Sequence, residues 1–160
     1  MKKISIIMGS SSDLEIVKET IGLLKEFKVG FEVKVLSAHR SPKELAAFVE
    51  NASKNGTEVF IAAAGGAAAL AGVIAAHSIK PVIGIPIETK SLYGLDSLLS
   101  TVQMPAGVPV ASMSIGKAGA RNAGLFALQI LALHDKKISA KLCGYKNQLR
   151  LKIKNIKLKV

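Results

Sequence analysis

The chain has 160 residues, 49% hydrophobic and 21% charged, with 14 Gly and 5 Pro. That is the size and composition of one compact domain, and it excludes disorder, collagen-like repeats and coiled coil. The formal charge of +11 is confined to one end: residues 1–135 carry 13 Lys and Arg against 11 acids, whereas residues 136–160 carry 9 and no acid. Aromatic residues make up 4% and Trp is absent, so the core must come from Ala, Val, Ile and Leu, and platforms for stacking nucleic-acid bases are scarce.

Taken in chain order, hydrophobic runs of strand length alternate with helical patterns. The first strand, Lys3 to Met8, follows two residues after the start, with no long apolar stretch and small-residue cleavage site before it. Leu14, Val17, Ile21 and Leu24 then recur at helical spacing, and Ser12-Asp13-Leu14-Glu15 has the capping-box form expected at that helix's start. A second strand, Phe31 to Leu36, leads to Ser41-Pro42-Lys43-Glu44, which repeats the device with Pro at the first helical position; the helix ends near Gly56. The third strand, Glu58 to Ala64, is followed by Gly65-Gly66, expected to open an alanine-rich helix reaching about Ile79. The Gly-Gly break and a histidine make Val59 to Ile79 a buried strand and helix rather than a membrane span. Strands at Pro81 to Ile85 and Val108 to Met113 and a helix from Ala118 to His134 complete the alternation. Strand and helix in this order make a parallel sheet with helices on both faces, since parallel strands need crossovers.

From Lys136 to Val160 apolar residues recur among lysines, the pattern of an amphipathic helix with a fraying end. It reads as a helix packed on this or another subunit rather than an RNA- or membrane-binding tail, because aromatic interleaving is absent. The single cysteine, Cys143, forms neither an internal bridge nor a Cys-based zinc site, which fits a reducing cytoplasm.

Ligands bind outside the carboxyl ends of strands in an open parallel sheet. Three polar segments leave strands there: Gly9-Ser-Ser-Ser-Asp13, Ser37-Ala-His-Arg40 and Ala64-Gly-Gly66. The first two lead into helix N-termini, where free amides and the positive end of the dipole favour an anion such as phosphate. Arg40 offers a fork of donors and Ser10, Ser12 and Ser37 offer hydroxyls, while the carboxylate of Asp13 suits paired ribose hydroxyls. A ribose phosphate accommodates both. Helix capping by the serines and close packing by Gly65 and Gly66 are the plain structural alternatives. His39 lies at the same edge and is the candidate acid/base, since imidazole gives and takes protons near neutrality. His77 and His134 lie toward helix ends and read as structural. No cluster has metal-ligand spacing, and Asp96 or Glu88 alone would not hold an ion. Gly116 and Gly119 permit close backbone approach, and Lys117 is either a solvent lysine or a second anion contact.

Six ordered motifs together, Met8-Gly-Ser-Ser-Ser-Asp13, Ser37-Ala-His-Arg-Ser-Pro42, Ala64-Gly-Gly-Ala-Ala68, Gly94-Leu-Asp-Ser97, Val102-Gln-Met-Pro105 and Gly116-Lys-Ala-Gly119, resemble the bacterial PurE family of N5-carboxyaminoimidazole ribonucleotide mutases. The resemblance covers roughly residues 4 to 135. It implies a flavodoxin-like three-layer α/β/α sandwich, expected over residues 1–135 as the catalytic domain, and the charge pattern adds residues 136–160 as a basic C-terminal helix or tail of the same single domain. It further implies a homo-octamer, a step of purine synthesis, a small-molecule substrate and no metal or organic cofactor, while the residue readings above point to the cytoplasm and to no nucleic-acid or membrane partner. By resemblance His39 falls on the catalytic histidine, Ser10, Asp13 and Arg40 on substrate-binding positions, and the Gly65-Gly66 loop on the wall that retains carbon dioxide. Where the family commonly reads Gly-Gly-Ala-Ala-His-Leu-Pro-Gly, this chain has Gly65-Gly-Ala-Ala-Ala-Leu-Ala-Gly72, with Ala69 at the histidine position. The alternatives are the family's carboxylase branch, which uses carbon dioxide directly, and a non-enzymatic ribonucleotide-binding module with an RNA-binding tail.

Overall fold

A computed structural model describes residues 2–157. The layers follow from the alternation in strand β1, Ile4–Met8, which sends Ile4, Ile6 and Met8 to one face and Ser5 and Ile7 to the other. On the first face these side chains meet helix α1, Leu14–Phe27, and helix α5, Gly116–Ala132, through Val17, Leu24, Ala123 and Ala127. On the second they meet helix α2, Pro42–Lys54, and helix α3, Leu70–Ala76, through Leu45, Val49, Leu70 and Ile74. The remaining strands are β2, Phe31–Val35, β3, Val59–Ala64, β4, Val82–Pro86, and β5, Ala111–Ser112. All pairings are parallel, in the order β2-β1-β3-β4-β5. This is the three-layer α/β/α sandwich expected, with the strand order of flavodoxin-like sheets and its switch point between β1 and β3.

Several local expectations shift. The capping box forms one turn earlier than Ser12-Glu15: Ser10 Oγ accepts from the Ser12 amide at 3.3 Å and Asp13 Oδ2 from the Ser10 amide at 3.1 Å, closing a short 3-10 turn over Ser11–Asp13. Helix α1 then starts at Leu14 without a side-chain cap. Ser41 precedes α2 with Pro42 at its first position, but the serine hydroxyl turns back, accepting from the Ser37 amide at 2.9 Å rather than capping the helix. Gly65-Gly66 does not open α3. Gly66, with φ +65°, and Ala68, with φ +34°, break the helical path, and α3 begins only at Leu70 and ends at Ala76. Strand β5 is confined to two residues at the sheet edge, preceded by Gly107 and Pro109.

A short helix, α4, Leu95–Val102, has no counterpart among the elements expected from the sequence. Its Ser, Thr and Val content carries weak helix propensity, and its burial on β4 decides its state. The basic segment is helical over Lys136–Lys154 as α6; Ile138 and Leu142 join the core, and Tyr145 packs edge-on against Phe27 with ring centroids 6.0 Å apart. Past Tyr145 its side chains are exposed up to residue 157, and the end of the expected helix, 158–160, lies outside the described residues.

Candidate active site

Four chain segments leave the carboxyl ends of β1, β2, β3 and β4 and converge on one cavity of about 550 Å³. The first contributes Gly9, Ser10, Ser12 and Asp13; the second Ser37, Ala38, His39 and Arg40. The third contributes Ala64, Gly65, Ala68, Ala69 and Leu70, and the fourth Ile87, Glu88 and Thr89. Of the residues singled out from sequence, Ser10, Ser12, Asp13, Ser37, His39, Arg40 and Gly65 line it, and Gly66 does not: its amide points to the buried Ser97 hydroxyl, 3.0 Å away. Lys117 also lies outside the lining, where its charge helps Lys18 to hold the exposed Glu15 carboxyl below its ordinary range.

The cavity has two chemically different walls. Arg40 ties the β1 and β2 loops together: its guanidinium donates to the Gly9 carbonyl at 3.1 Å and its amide to Ser37 Oγ at 3.2 Å. With Ser10, Ser12 and Ser37 beside it, this side presents a cation and hydroxyls to an anion. From the second loop these are the turn residues ahead of α2, not that helix's first turn. The opposite wall, from Ala64 through Leu70 with Ile87, is apolar except for Glu88 and Thr89. His39 sits exposed on the β2 turn at the mouth of the cavity. His77 is elsewhere, ending α3 with Nδ1 3.3 Å from Glu50 Oε1, and His134 follows α5. Among the described residues no three His, Cys, Asp or Glu side chains stand together to hold a metal ion. Nor is any helix among them long and apolar enough to cross a membrane.

Ile87, Glu88 and Thr89 were not identified as site residues from the sequence. The available signal was their place just past a strand's carboxyl end, but Ile-Glu-Thr carries no motif by itself.

Asp13 is buried although it borders the cavity. Burial pushes its carboxyl above the ordinary 3.8, against the lowering effect of the Ser10 amide and the Ser12 hydroxyl. The native state therefore keeps this proton to higher pH than the unfolded chain does. Stability from this group is lost as pH rises from about 3.8 through the folded value. Asp13→Asn lacks the ionisation, so its stability relative to the parent should improve between about pH 3 and about pH 7 in denaturant unfolding. A difference that stays constant across that range would remove Asp13 as the source.

A family model described as AIR carboxylase matches residues 3–152. The chain is 51% identical over 150 residues to the N5-carboxyaminoimidazole ribonucleotide mutase of Pyrococcus abyssi, covering 94% of this chain and 85% of that protein. It is 54% identical over 139 residues to the mutase of Bacillus subtilis, covering 87% and 86%. Among solved structures, Treponema denticola PurE superposes with a TM-score of 0.85 at 26% identity, over 94% of this chain and 92% of that one.

Proposed function

The chain belongs to the AIR carboxylase family, and from that premise we propose that it converts N5-carboxyaminoimidazole ribonucleotide to 4-carboxy-5-aminoimidazole ribonucleotide in purine biosynthesis. The observation that carries this reading is the meeting of His39, the Ser10 and Arg40 loops and the apolar Gly65 wall in one cavity, in a chain about half identical to curated mutases.

The two walls divide the work. Arg40, Ser10, Ser12 and Ser37 receive the phosphate, and Asp13 the ribose hydroxyls, placing the imidazole ring toward His39 and the Ala69 wall. His39, as imidazolium, protonates the exocyclic nitrogen as its bond to the carboxylate carbon breaks, releasing carbon dioxide. Ring carbon 4 then attacks that carbon dioxide, and neutral His39 removes the carbon 4 proton. The histidine ends protonated as it began, so the reaction is a balanced isomerisation with no co-reactant. A single group must donate and then accept, which suits imidazole. The apolar wall holds an uncharged gas molecule without competing for it by hydrogen bonding, and exclusion of water limits its escape.

Assembly as a homo-octamer is part of the same proposal. Leu92, Tyr93, Leu95, Leu99 and Val102 are exposed along and before α4, and β2 is an open sheet edge with Val35 exposed. Such surface on a small protein marks contact with other subunits. We place the protein in the cytoplasm, where a lone exposed Cys143 stays reduced. The catalytic unit is residues 1–135, with residues 136–160 as its basic helical appendage.

The test is carbon-13 NMR of substrate labelled at its carbamate. Protein-dependent label at the carbon 4 carboxylate, undiluted by unlabelled bicarbonate, is expected. Dilution by bicarbonate would point to the carboxylase branch, and no signal from folded protein would overturn the reading. Ala69 makes a second prediction. It lines the cavity where the family carries histidine, so Ala69→His should raise turnover by about 2- to 10-fold, the worth of one added hydrogen bond. Equal rates would dismiss a cost from Ala69.

A further inference from the structure

The Gly94-Leu-Asp-Ser97 motif has no place in the chemistry above, yet it ties together two of the four segments that form the cavity. Ser97 is fully buried at the start of α4. Its hydroxyl accepts from the Gly66 amide at 3.0 Å and donates to the Ile87 carbonyl at 2.7 Å. One hydroxyl thus joins the segment after β3 to the segment after β4. Asp96 adds a second tie: its carboxylate accepts from the Thr89 hydroxyl at 3.1 Å and from the Ser97 amide at 2.9 Å. Between the ties the two segments touch closely. A Cβ at Gly65 would lie 3.3 Å from Thr89 Cγ2 and 3.6 Å from Ile87 Cβ.

We propose that Ser97 is a positioning residue that clamps the Gly65–Leu70 and Ile87–Thr89 segments into one closed apolar wall, and that this wall retains carbon dioxide between its release and its capture. The inference rests on the function proposed above. The one Ser97 oxygen both accepts from an amide and donates to a carbonyl, so Ser97→Ala removes both bonds and loosens the two segments, which are then joined through the backbone bond from the Ile87 amide to the Ala64 carbonyl at 2.9 Å. The phosphate side of the cavity, built on the β1 and β2 loops, is untouched. Loosening the wall therefore affects the gas and spares ribonucleotide binding.

The test uses the full chain, Ser97→Ala, and Thr101→Val as control. Thr101 sits on the same helix and its hydroxyl bonds only the Ser97 carbonyl, at 2.7 Å, so its loss disturbs α4 without releasing either segment. In Ser97→Ala we expect kcat to fall about tenfold with KM within about twofold, the loss of roughly one buried hydrogen bond's worth of transition-state positioning. The fraction of turnovers that end in free carbon dioxide and decarboxylated ribonucleotide should rise several-fold. Amide exchange, read by mass spectrometry, should quicken in peptides spanning residues 65–70 and 87–89. Thr101→Val should show none of these changes at a comparable loss of thermal stability. An unchanged product fraction in Ser97→Ala, or the same changes in Thr101→Val, would overturn the clamp. If the unaltered protein forms no carbon 4 carboxylate, the functional reading fails, and the exchange comparison decides the clamp by itself.

Discussion

His39→Asn is expected to fold, to bind ribonucleotide nearly as well as the parent, and to turn over about 10²- to 10⁴-fold more slowly, the usual worth of a positioned general acid/base. The size of the effect follows from the absence of a substitute at the cavity. His77 is turned to Glu50 at the end of α3 and His134 lies past α5, neither of them in the lining, and Ala69 brings only a methyl group to it. Glu88 does line the cavity, but it follows β4, across the sheet's switch point from the β2 loop that carries His39. Binding should survive, since the proposed anion contacts are Arg40 and the serines, and Arg40 is held by the Gly9 carbonyl and Ser37 rather than by His39. The loss therefore belongs in kcat, with KM within a few-fold. Single-turnover conversion of carbamate-labelled substrate measures it directly. A rate within tenfold of the parent would move the proton chemistry to another group.

The parts of this site legible in sequence were those where backbone need and side-chain chemistry coincide. A parallel strand ends in a loop at the sheet's carboxyl edge, so the alternation of elements alone sets Gly9 to Asp13 and Ser37 to Arg40 at one edge, where both line the cavity. Less legible was which serine does what. Ser12 and Ser41 both satisfy the capping pattern, but the chain inserts a 3-10 turn ahead of α1, which hands the capping role to Ser10 and brings Asp13 inward to close it. Likewise Gly65 and Gly66 look equivalent in sequence. The positive φ at Gly66 turns its amide to Ser97, 31 positions away, while Gly65 faces the cavity against Ile87 and Thr89. Helix α4 escaped notice for a related reason. Its eight residues hold their place through Ser97 bonds to Ile87 and Gly66 and through burial on β4, contacts with other segments that no local pattern carries.

The largest expected loss of stability comes from one methyl group, at Gly119. This residue is buried in the first turn of α5, and a Cβ there would fall on the carbonyl oxygen of Ser114, with the Ser114 carbonyl carbon only 2.6 Å away. The obstacle is backbone, so no rotamer change relieves it. Neither side is free to give. The helix is fixed by the buried Thr20 hydroxyl, which donates to the Ala120 carbonyl at 2.6 Å, and by Ala120, Ala123 and Ala127 pressed on the sheet. The turn is fixed by the Met113 amide bonded to the Gly84 carbonyl at 2.9 Å, and by Ile115, packed so close to Gly94 that a Cβ there would meet it at 2.7 Å. Relief must shift the helix or unpair the sheet edge, so Gly119→Ala should cost about 3 kcal/mol, the top of the usual range for overpacking. For a domain of this size that lowers the melting temperature by about 10 °C. The same exchange at Gly144 in α6, where a Cβ meets nothing, should instead stabilise by about 0.5–1 kcal/mol, because alanine loses less backbone entropy in a helix. Opposite signs for one chemical change separate steric exclusion from glycine's general effect on a helix. A Gly119→Ala protein melting within about 2 °C of the parent would mean that the Ser114 turn yields freely.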